Sequence, residues 1–220
     1  MNSKGILVVV SGFSGSGKGT IMKRLMKDYG EYYALSVSAT TRAPRPGEEH
    51  GIDYFYVSTD EFRRMIENGE LIEYAQYVNN YYGTPKQYVE EQMQLGRSVI
   101  LEIEMQGARK IKEQFPDTVL MFVSAPTAEE IRHRLYGRNT ESTEVINARM
   151  HRAYEESLDV DCYDYLVIND DLESSVRCVH NIIQNECNRK LEENEAYRLL
   201  ANKDFINNMR EELLRFSKGV

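Results

Sequence analysis

The segment Gly12-Phe-Ser-Gly-Ser-Gly17-Lys18-Gly19-Thr20 carries the most informative chemistry in the chain. It follows the apolar run Ile6–Val10 and leads into the helix-like stretch Ile21–Lys27, so a glycine-rich turn joins a strand to a helix N-terminus. That arrangement suits a phosphate. Gly12, Gly15 and Gly17 let backbone amides converge on an anion without Cβ interference, and the helix end adds positive potential. Lys18 supplies a point charge for the β- and γ-phosphates, where charge must be neutralised during transfer. Such loops usually place Ser or Thr directly after the lysine to hold Mg²⁺. Here Gly19 intervenes and Thr20 comes second. The expectation is therefore that Mg²⁺ is held mainly by phosphates and water, with Thr20 on a phosphate.

Further along, Arg42 and Arg45 stand three residues apart and are stiffened by Pro44 and Pro46, a rigid double fork for a phosphate or carboxylate. Glu102 and Glu104 alternate with Leu101 and Ile103, which puts both carboxylates on one face at the end of a strand. Arg134, Arg138 and Arg149 lie around a polar helix and can neutralise charge if that segment closes over a nucleotide. Arg132 and Arg152 read as a solvated face. Cys162, Cys178 and Cys187 make neither a disulfide framework nor a metal-ligand spacing, and the four histidines are scattered.

The elements that must position these groups are legible in outline. Apolar, β-branched runs recur at Ile6–Val10, Tyr33–Ser38, Ser98–Ile103, Val119–Val123 and Tyr165–Ile168, as expected for strands buried on both faces of a parallel sheet. Capping boxes predict helix starts at Ser58–Glu61, Thr84–Gln87 (with Pro85 as the first helical residue), Thr127–Glu130 and Asp170–Glu173, and Gly69 and Gly96 mark helix ends. Alternating strands and helices argue an α/β, doubly wound sheet with ligands at the carboxyl ends of its strands. Two stretches interrupt the alternation: Thr40–Tyr82, where Asp53–Val57 reads as a short antiparallel strand, and Arg134–Glu156. Both read as insertions over the active edge of the sheet. From about Asn188 a charged, helix-favouring tail carries a sparse apolar stripe, suited to packing on the body or on a partner.

Composition narrows the class. With 27 Lys+Arg against 35 Asp+Glu, the net charge of −8 is a poor footprint for duplex nucleic acid. The longest early apolar run falls far short of the ~18 residues of a membrane span. No signal-peptide core precedes Ser11, and with so few cysteines a cytoplasmic location is expected.

Taken together, the motifs resemble the guanylate kinase family over roughly residues 5–187. They are the phosphate loop, Thr40-Thr-Arg42-x-x-Arg45 with Tyr54-x-Tyr56, Ile72-Glu73, Tyr82-Gly83-Thr84, Gln106-Gly107, Arg134-x-x-x-Arg138 with Arg149, and Ile168-Asn169-Asp170. The resemblance implies a P-loop three-layer α/β fold with a five-stranded parallel core sheet. It also implies domain limits: a kinase-like domain over 1–190, made of core segments 1–37, 97–125 and 158–190, a GMP-binding insertion over 38–96 and a lid over 126–157, with a helical tail over 191–220.

The activity it implies is ATP-dependent phosphorylation of GMP, and of dGMP, to the diphosphate with Mg²⁺, by a monomer or homodimer that binds neither nucleic acid nor membrane. Lys18, Arg42, Arg138 and Arg149 would be catalytic. Gly12, Ser14, Gly15, Ser16, Gly17, Lys18, Gly19, Thr20, Arg134 and Asn169 would bind ATP. Ser38, Arg42, Arg45, Tyr54, Glu73, Tyr82, Thr84 and Glu104 would bind GMP, and Glu102 would face the metal–water shell. The family commonly has aspartate where this chain has Glu104, and glycine where it has Asn139.

The chemistry of the base is consistent with those assignments. Guanine presents an N1–H and an N2 amino donor beside its O6 acceptor. A carboxylate such as Glu73 accepts from both donors, and adenine would leave it buried and unpaired. Two other readings compete with this one: a catalytically silent scaffold module that binds phosphopeptides, and a kinase for another nucleoside monophosphate. The intact Gly12, Gly17, Lys18, Arg138 and Arg149 argue against the first, and Glu73 with Ser38 against the second.

Overall fold

The structure, a computed structural model, describes residues 5–77, 79–137 and 142–217. Its first half runs β1 (Leu7–Gly12), α1 (Lys18–Tyr29), β2 (Tyr33–Leu35), β3 (Ala39–Thr40), β4 (Phe55–Tyr56), α2 (Thr59–Glu67), β5 (Leu71–Tyr77), β6 (Asn80–Pro85) and α3 (Lys86–Gln94). Then come β7 (Ser98–Glu102), α4 (Met105–Gln114), β8 (Val119–Ser124), α5 (Ala128–Tyr136), α6 (Thr143–Ser157), β9 (Tyr165–Ile168), α7 (Leu172–Cys187) and, after two 3₁₀ turns, α8 (Lys203–Ser217).

The main sheet has five parallel strands in the order β2-β7-β1-β8-β9. Its strands are apolar on both faces because both faces are covered. Val8, Val10, Ile100, Met121 and Val123 pack with α1 and α7 through Ile21, Leu25, Val179 and Ile183. The alternate residues Leu7, Val9, Leu101, Leu120 and Phe122 pack with Ile111 of α4, Ile131 of α5, Met150 of α6 and Met209 of α8. Period-two alternation in one run thus feeds two cores. The central strand β1 separates β7 from β8, and the phosphate-loop segment leaves its carboxyl end, where crossover folds gather ligands.

A second sheet of four strands, ordered β4-β3-β6-β5, lies within residues 39–85. Here the chain departs from its sequence reading. The stretch around Phe55 pairs parallel with β3, not antiparallel, because a long excursion over residues 41–54 brings it back in the same direction. The antiparallel hairpin β5–β6 was not read at all, although Tyr81, Tyr82 and Thr84 favour strands.

Two of the four cap readings need correcting. Ser58 and Thr127 accept from the backbone N–H of Glu61 and Glu130 as expected. Thr84 does not cap α3: it belongs to β6, its hydroxyl donates to Glu73, and Pro85 is the cap residue rather than the first helical one. Asp171, not Asp170, caps α7 by accepting from the N–H of Ser174. The arginine-rich segment takes in the end of α5, which Thr127 caps, and the polar helix α6.

The tail packs on the body. Ile206, Met209 and Leu213 of α8 are buried in the same core as Ile146, Met150 and Ala153 of α6. The Glu212 carboxylate accepts from the Ala128 N–H at 2.8 Å, at the start of α5. Arg210 donates to the Ser157 carbonyl at 2.7 Å, at the end of α6. Among the described residues no helix is long and apolar enough to cross a membrane.

Candidate active site

Gly15 and Gly17 hold φ near +91° and +86°, a region costly for any residue with a Cβ. A Cβ at Gly17 would also stand 2.3 Å from Nδ2 of Asn169. The loop is held from behind: Asn169 Nδ2 and Arg134 Nη1 both donate to the Ser16 carbonyl, at 2.8 and 3.2 Å. Arg134 Nη2 also reaches the Asn169 carbonyl at 2.9 Å, and its Nε reaches Glu130 at 2.7 Å. A trans peptide points its N–H opposite its carbonyl, so these two side chains set the direction of the Gly17 amide. Ser16 is wholly buried, and its N–H is spent on the Phe13 carbonyl. Its contribution is to loop shape. Gly19 and Thr20 are exposed at the start of α1.

In front of the loop a cleft of about 600 Å³ is lined by Gly12, Ser14, Lys18, Glu102, Glu104, Arg149 and Arg152, among others. Lys18 Nζ sits 3.3 Å from Glu102, at the end of β7. Arg149 reaches from α6 to donate to Ser14 Oγ at 2.8 Å. Glu104 is the cap residue of α4 and lies one residue past the strand's last neighbour, so the shared strand face ends at Glu102. Its largely exposed carboxylate pairs with Arg152 at 2.7 Å, and Arg152 also holds Glu156 at 3.0 Å. Arg152 thus lines the cleft and stays largely exposed, as a solvated face implies. Burial pushes the Glu156 carboxyl up from its ordinary value, with Arg152 opposing. Arg132 lies away from the cleft, its guanidinium over the rings of Tyr136 and Phe216, 5.4 Å from each centroid. Arg138 and Asn139 lie outside the described residues.

The small sheet carries a second group. Arg42 stands over Tyr54 at 5.3 Å and Tyr56 at 5.9 Å, and Tyr54 meets Tyr82 edge-on at 6.1 Å. Arg45 is exposed beside them. Glu48 and Tyr56, which the sequence reading gave no role, complete this group: Glu48 accepts from Arg42, and the Tyr56 hydroxyl donates to Glu48. Deeper in, Thr84 Oγ1 donates to Glu73 Oε1 at 2.8 Å across the β5–β6 hairpin. Burial pushes the Glu73 carboxyl up, while Thr84 and the more distant Lys110 pull the other way. The β3–β6 register puts Ala39 opposite Gly83 and Thr40 opposite Tyr82, which sets Ser38 beside Thr84. Ser38, Glu73 and Thr84 thus come together as the polar end of the lobe, with Arg42, Tyr54 and Tyr82 as its cationic and aromatic end.

Among the described residues no group of three or more His, Cys, Asp or Glu could cage a metal ion. Of the carboxylates that line the cleft, Glu104 and Glu156 are paired with Arg152, which leaves Glu102 beside Lys18, while the exposed hydroxyl of Thr20 stands at the start of α1. That donor set fits Mg²⁺, which keeps waters and substrate phosphates in its shell.

The model of the guanylate kinase family matches residues 4–186. The chain belongs to the guanylate kinase family. The guanylate kinase of Clostridioides difficile is 49% identical over 186 residues, which is 84% of this chain and 90% of that protein. The guanylate kinase of Oceanobacillus iheyensis is 47% identical with the same coverage. Among solved structures, guanylate kinase from Anaplasma phagocytophilum is similar with a TM-score of 0.63 at 34% identity, covering 84% of this chain and 87% of that one. The resemblance read from the motifs and the α/β fold with its five parallel strands are both upheld. As a member of the guanylate kinase family the chain is a nucleotide-binding phosphotransferase. Its match to the family model stops at the end of α7, so α8 and its contacts to α5 and α6 lie outside that match.

Proposed function

We propose that this chain transfers the γ-phosphoryl group of ATP to GMP, giving ADP and GDP by direct in-line displacement in the cytosol, and that dGMP serves as well. One observation carries the choice of acceptor. A buried carboxylate, Glu73, is braced by the Thr84 hydroxyl at the far end of a lobe whose near end carries Arg42 and Tyr82. That spacing of functions suits a base at one end and a monophosphate at the other. Glu73 accepts from the guanine N1–H and N2 amino group, while Ser38 and Thr84 serve its remaining edge. Arg42 and Arg45 fork the acceptor's phosphate, with Tyr54 and Tyr82 alongside.

On the donor side, the amides of the Gly12–Thr20 loop and the N-terminus of α1 cradle the ATP phosphates. Lys18 neutralises charge on the β- and γ-oxygens, and Arg149 and Arg138 approach the transferring group from the lid. Glu102 and Thr20 would hold Mg²⁺ through its waters, and the bound ion would spread charge over the β- and γ-phosphates. Arg134 and Asn169 keep the loop in shape and form the edge against which adenine lies. Glu104, paired with Arg152, lines the space between the two substrates.

A coupled ADP-release assay across GMP, dGMP, AMP, UMP and dTMP tests the reading. Turnover with GMP and dGMP and little with the others is expected. Comparable turnover with AMP would remove Glu73 as the selector.

A further inference from the structure

The motif Arg45-Pro46-Gly47-Glu48 forms a tight turn in which the Glu48 N–H donates to the Arg45 carbonyl at 3.0 Å. Proline at the second position and a glycine at φ near +87° at the third are what a turn of this hand requires. The turn folds the Glu48 side chain back over the residues preceding it. Its carboxylate accepts twice from Arg42 Nη2, both at 2.9 Å, from the Tyr56 hydroxyl at 2.8 Å and from the Arg45 N–H at 2.7 Å. Arg42 Nη1 donates in addition to the Ala43 carbonyl at 2.7 Å. Arg42 and Glu48 are both mostly covered, with 15% and 20% of their side-chain surface exposed. The backbone N–H of Arg45, together with Tyr56 and Arg42, holds the Glu48 carboxyl far below the usual range, at about 2, so it stays ionised at any working pH.

We propose that Glu48 is a positioning residue for acceptor binding: it fixes the Arg42 guanidinium and the Arg45 backbone in the attitude that receives the monophosphate. The inference rests on the reading of this lobe as the acceptor site. A free arginine samples many rotamers and must be ordered when phosphate arrives. Here Nη2 of Arg42 is already engaged by both oxygens of Glu48 and Nη1 by the Ala43 carbonyl, and two tyrosine rings flank the plane. The remaining donors face a ligand from a preset orientation. The same carboxylate also lowers the positive charge of the cradle. Positioning and competition therefore predict opposite signs: losing a positioner weakens GMP, and losing a competitor tightens it.

Steady-state kinetics of Glu48→Gln, Arg42→Ala and Tyr56→Phe, with guanosine as a phosphate-free competitive inhibitor, separate these. Glu48→Gln is expected to raise KM for GMP about tenfold, the scale of one charge-assisted hydrogen bond. KM for ATP and the inhibition constant of guanosine should both stay within about twofold, since the base end is untouched. Glu48→Asp should recover part of the loss. Should Glu48→Gln fail to fold, Tyr56→Phe reports on the same carboxylate and is expected to shift KM for GMP in the same direction, by less. An unchanged or lowered KM for GMP overturns the proposal. So does equal weakening of guanosine, which would mean that the whole lobe is disturbed. If Arg42→Ala itself leaves KM for GMP unmoved, the acceptor-site reading fails, a result distinct from failure of Glu48 alone.

Discussion

In the proposed reaction Lys18 and Glu73 would carry the two ends of the chemistry, and single substitutions separate them. Lys18→Ala removes the point charge opposite the transferring phosphate while leaving the small sheet untouched. Turnover should fall by two orders of magnitude or more, ~3 kcal/mol or above in the barrier, with GMP binding still measurable by calorimetry. Glu73→Gln replaces an acceptor oxygen with a donor and should weaken GMP far more than ATP.

The raised Glu73 carboxyl adds a pH signature. Only the ionised form accepts from both guanine donors, so KM for GMP should rise as pH falls through its titration. Because burial raises that pKa, the rise should begin at higher pH than for an ordinary glutamate. The pH profile of Glu73→Gln should lack that component, and identical profiles would contradict the role. These residues were legible because their types and spacing are local. Glu48 and Arg152 were not: what matters in them is a partner brought close by a turn or by another helix, and neither shows in composition or periodicity.

Among the elements, the helix ends show where local reading holds and where it fails. Ser58 and Thr127 cap as their spacing demands because no competing partner claims their hydroxyls. Thr84 has the same spacing, yet the pairing of β5 with β6 carries the strand on to Pro85, which makes Pro85 the cap residue and aims the Thr84 hydroxyl at Glu73 instead. The short strand at Phe55 was given the wrong direction because strand sense depends on the path of the preceding loop, not on side-chain type. At this scale α8 makes a prediction. It caps the start of α5 through Glu212 and the end of α6 through Arg210, and those two helices carry Arg134 and Arg149. Glu212→Ala leaves the Ala128 N–H without its carboxylate and should cost about 1 kcal/mol, seen as a lower Tm. It should also raise KM for ATP with KM for GMP unchanged. A drop in Tm with both constants unmoved would confine α8 to stability.

For the molecule as a whole, the proposed reaction draws its donor groups from the main sheet with its arginine-bearing helices and its acceptor groups from the small sheet. Bringing a γ-phosphate against an acceptor oxygen while excluding water calls for those units to close. Small-angle scattering with GMP and a non-hydrolysable ATP analogue together should show a smaller radius of gyration than either ligand alone. An unchanged radius would argue that the cleft is already in its working shape. The main sheet was readable nearly strand by strand, since burial on both faces leaves an unbroken apolar run. The small sheet was not, because its strands are short, half-exposed and built from tyrosines and polar residues that fit a loop equally well.

The placement of β1 bears on how the chain is made. The first strand to be synthesised ends in the middle of the sheet, with Leu7 beside Val99 and Val8 beside Val119. A nascent chain therefore emerges with this apolar segment unpaired, and residues 13–97 must follow before either neighbour exists. Parallel pairing at such separation is slow and leaves a sticky edge exposed during the wait. Ribosome-bound fragments ending before Val119 should accordingly recruit chaperones, and release should depend on β8 clearing the exit tunnel.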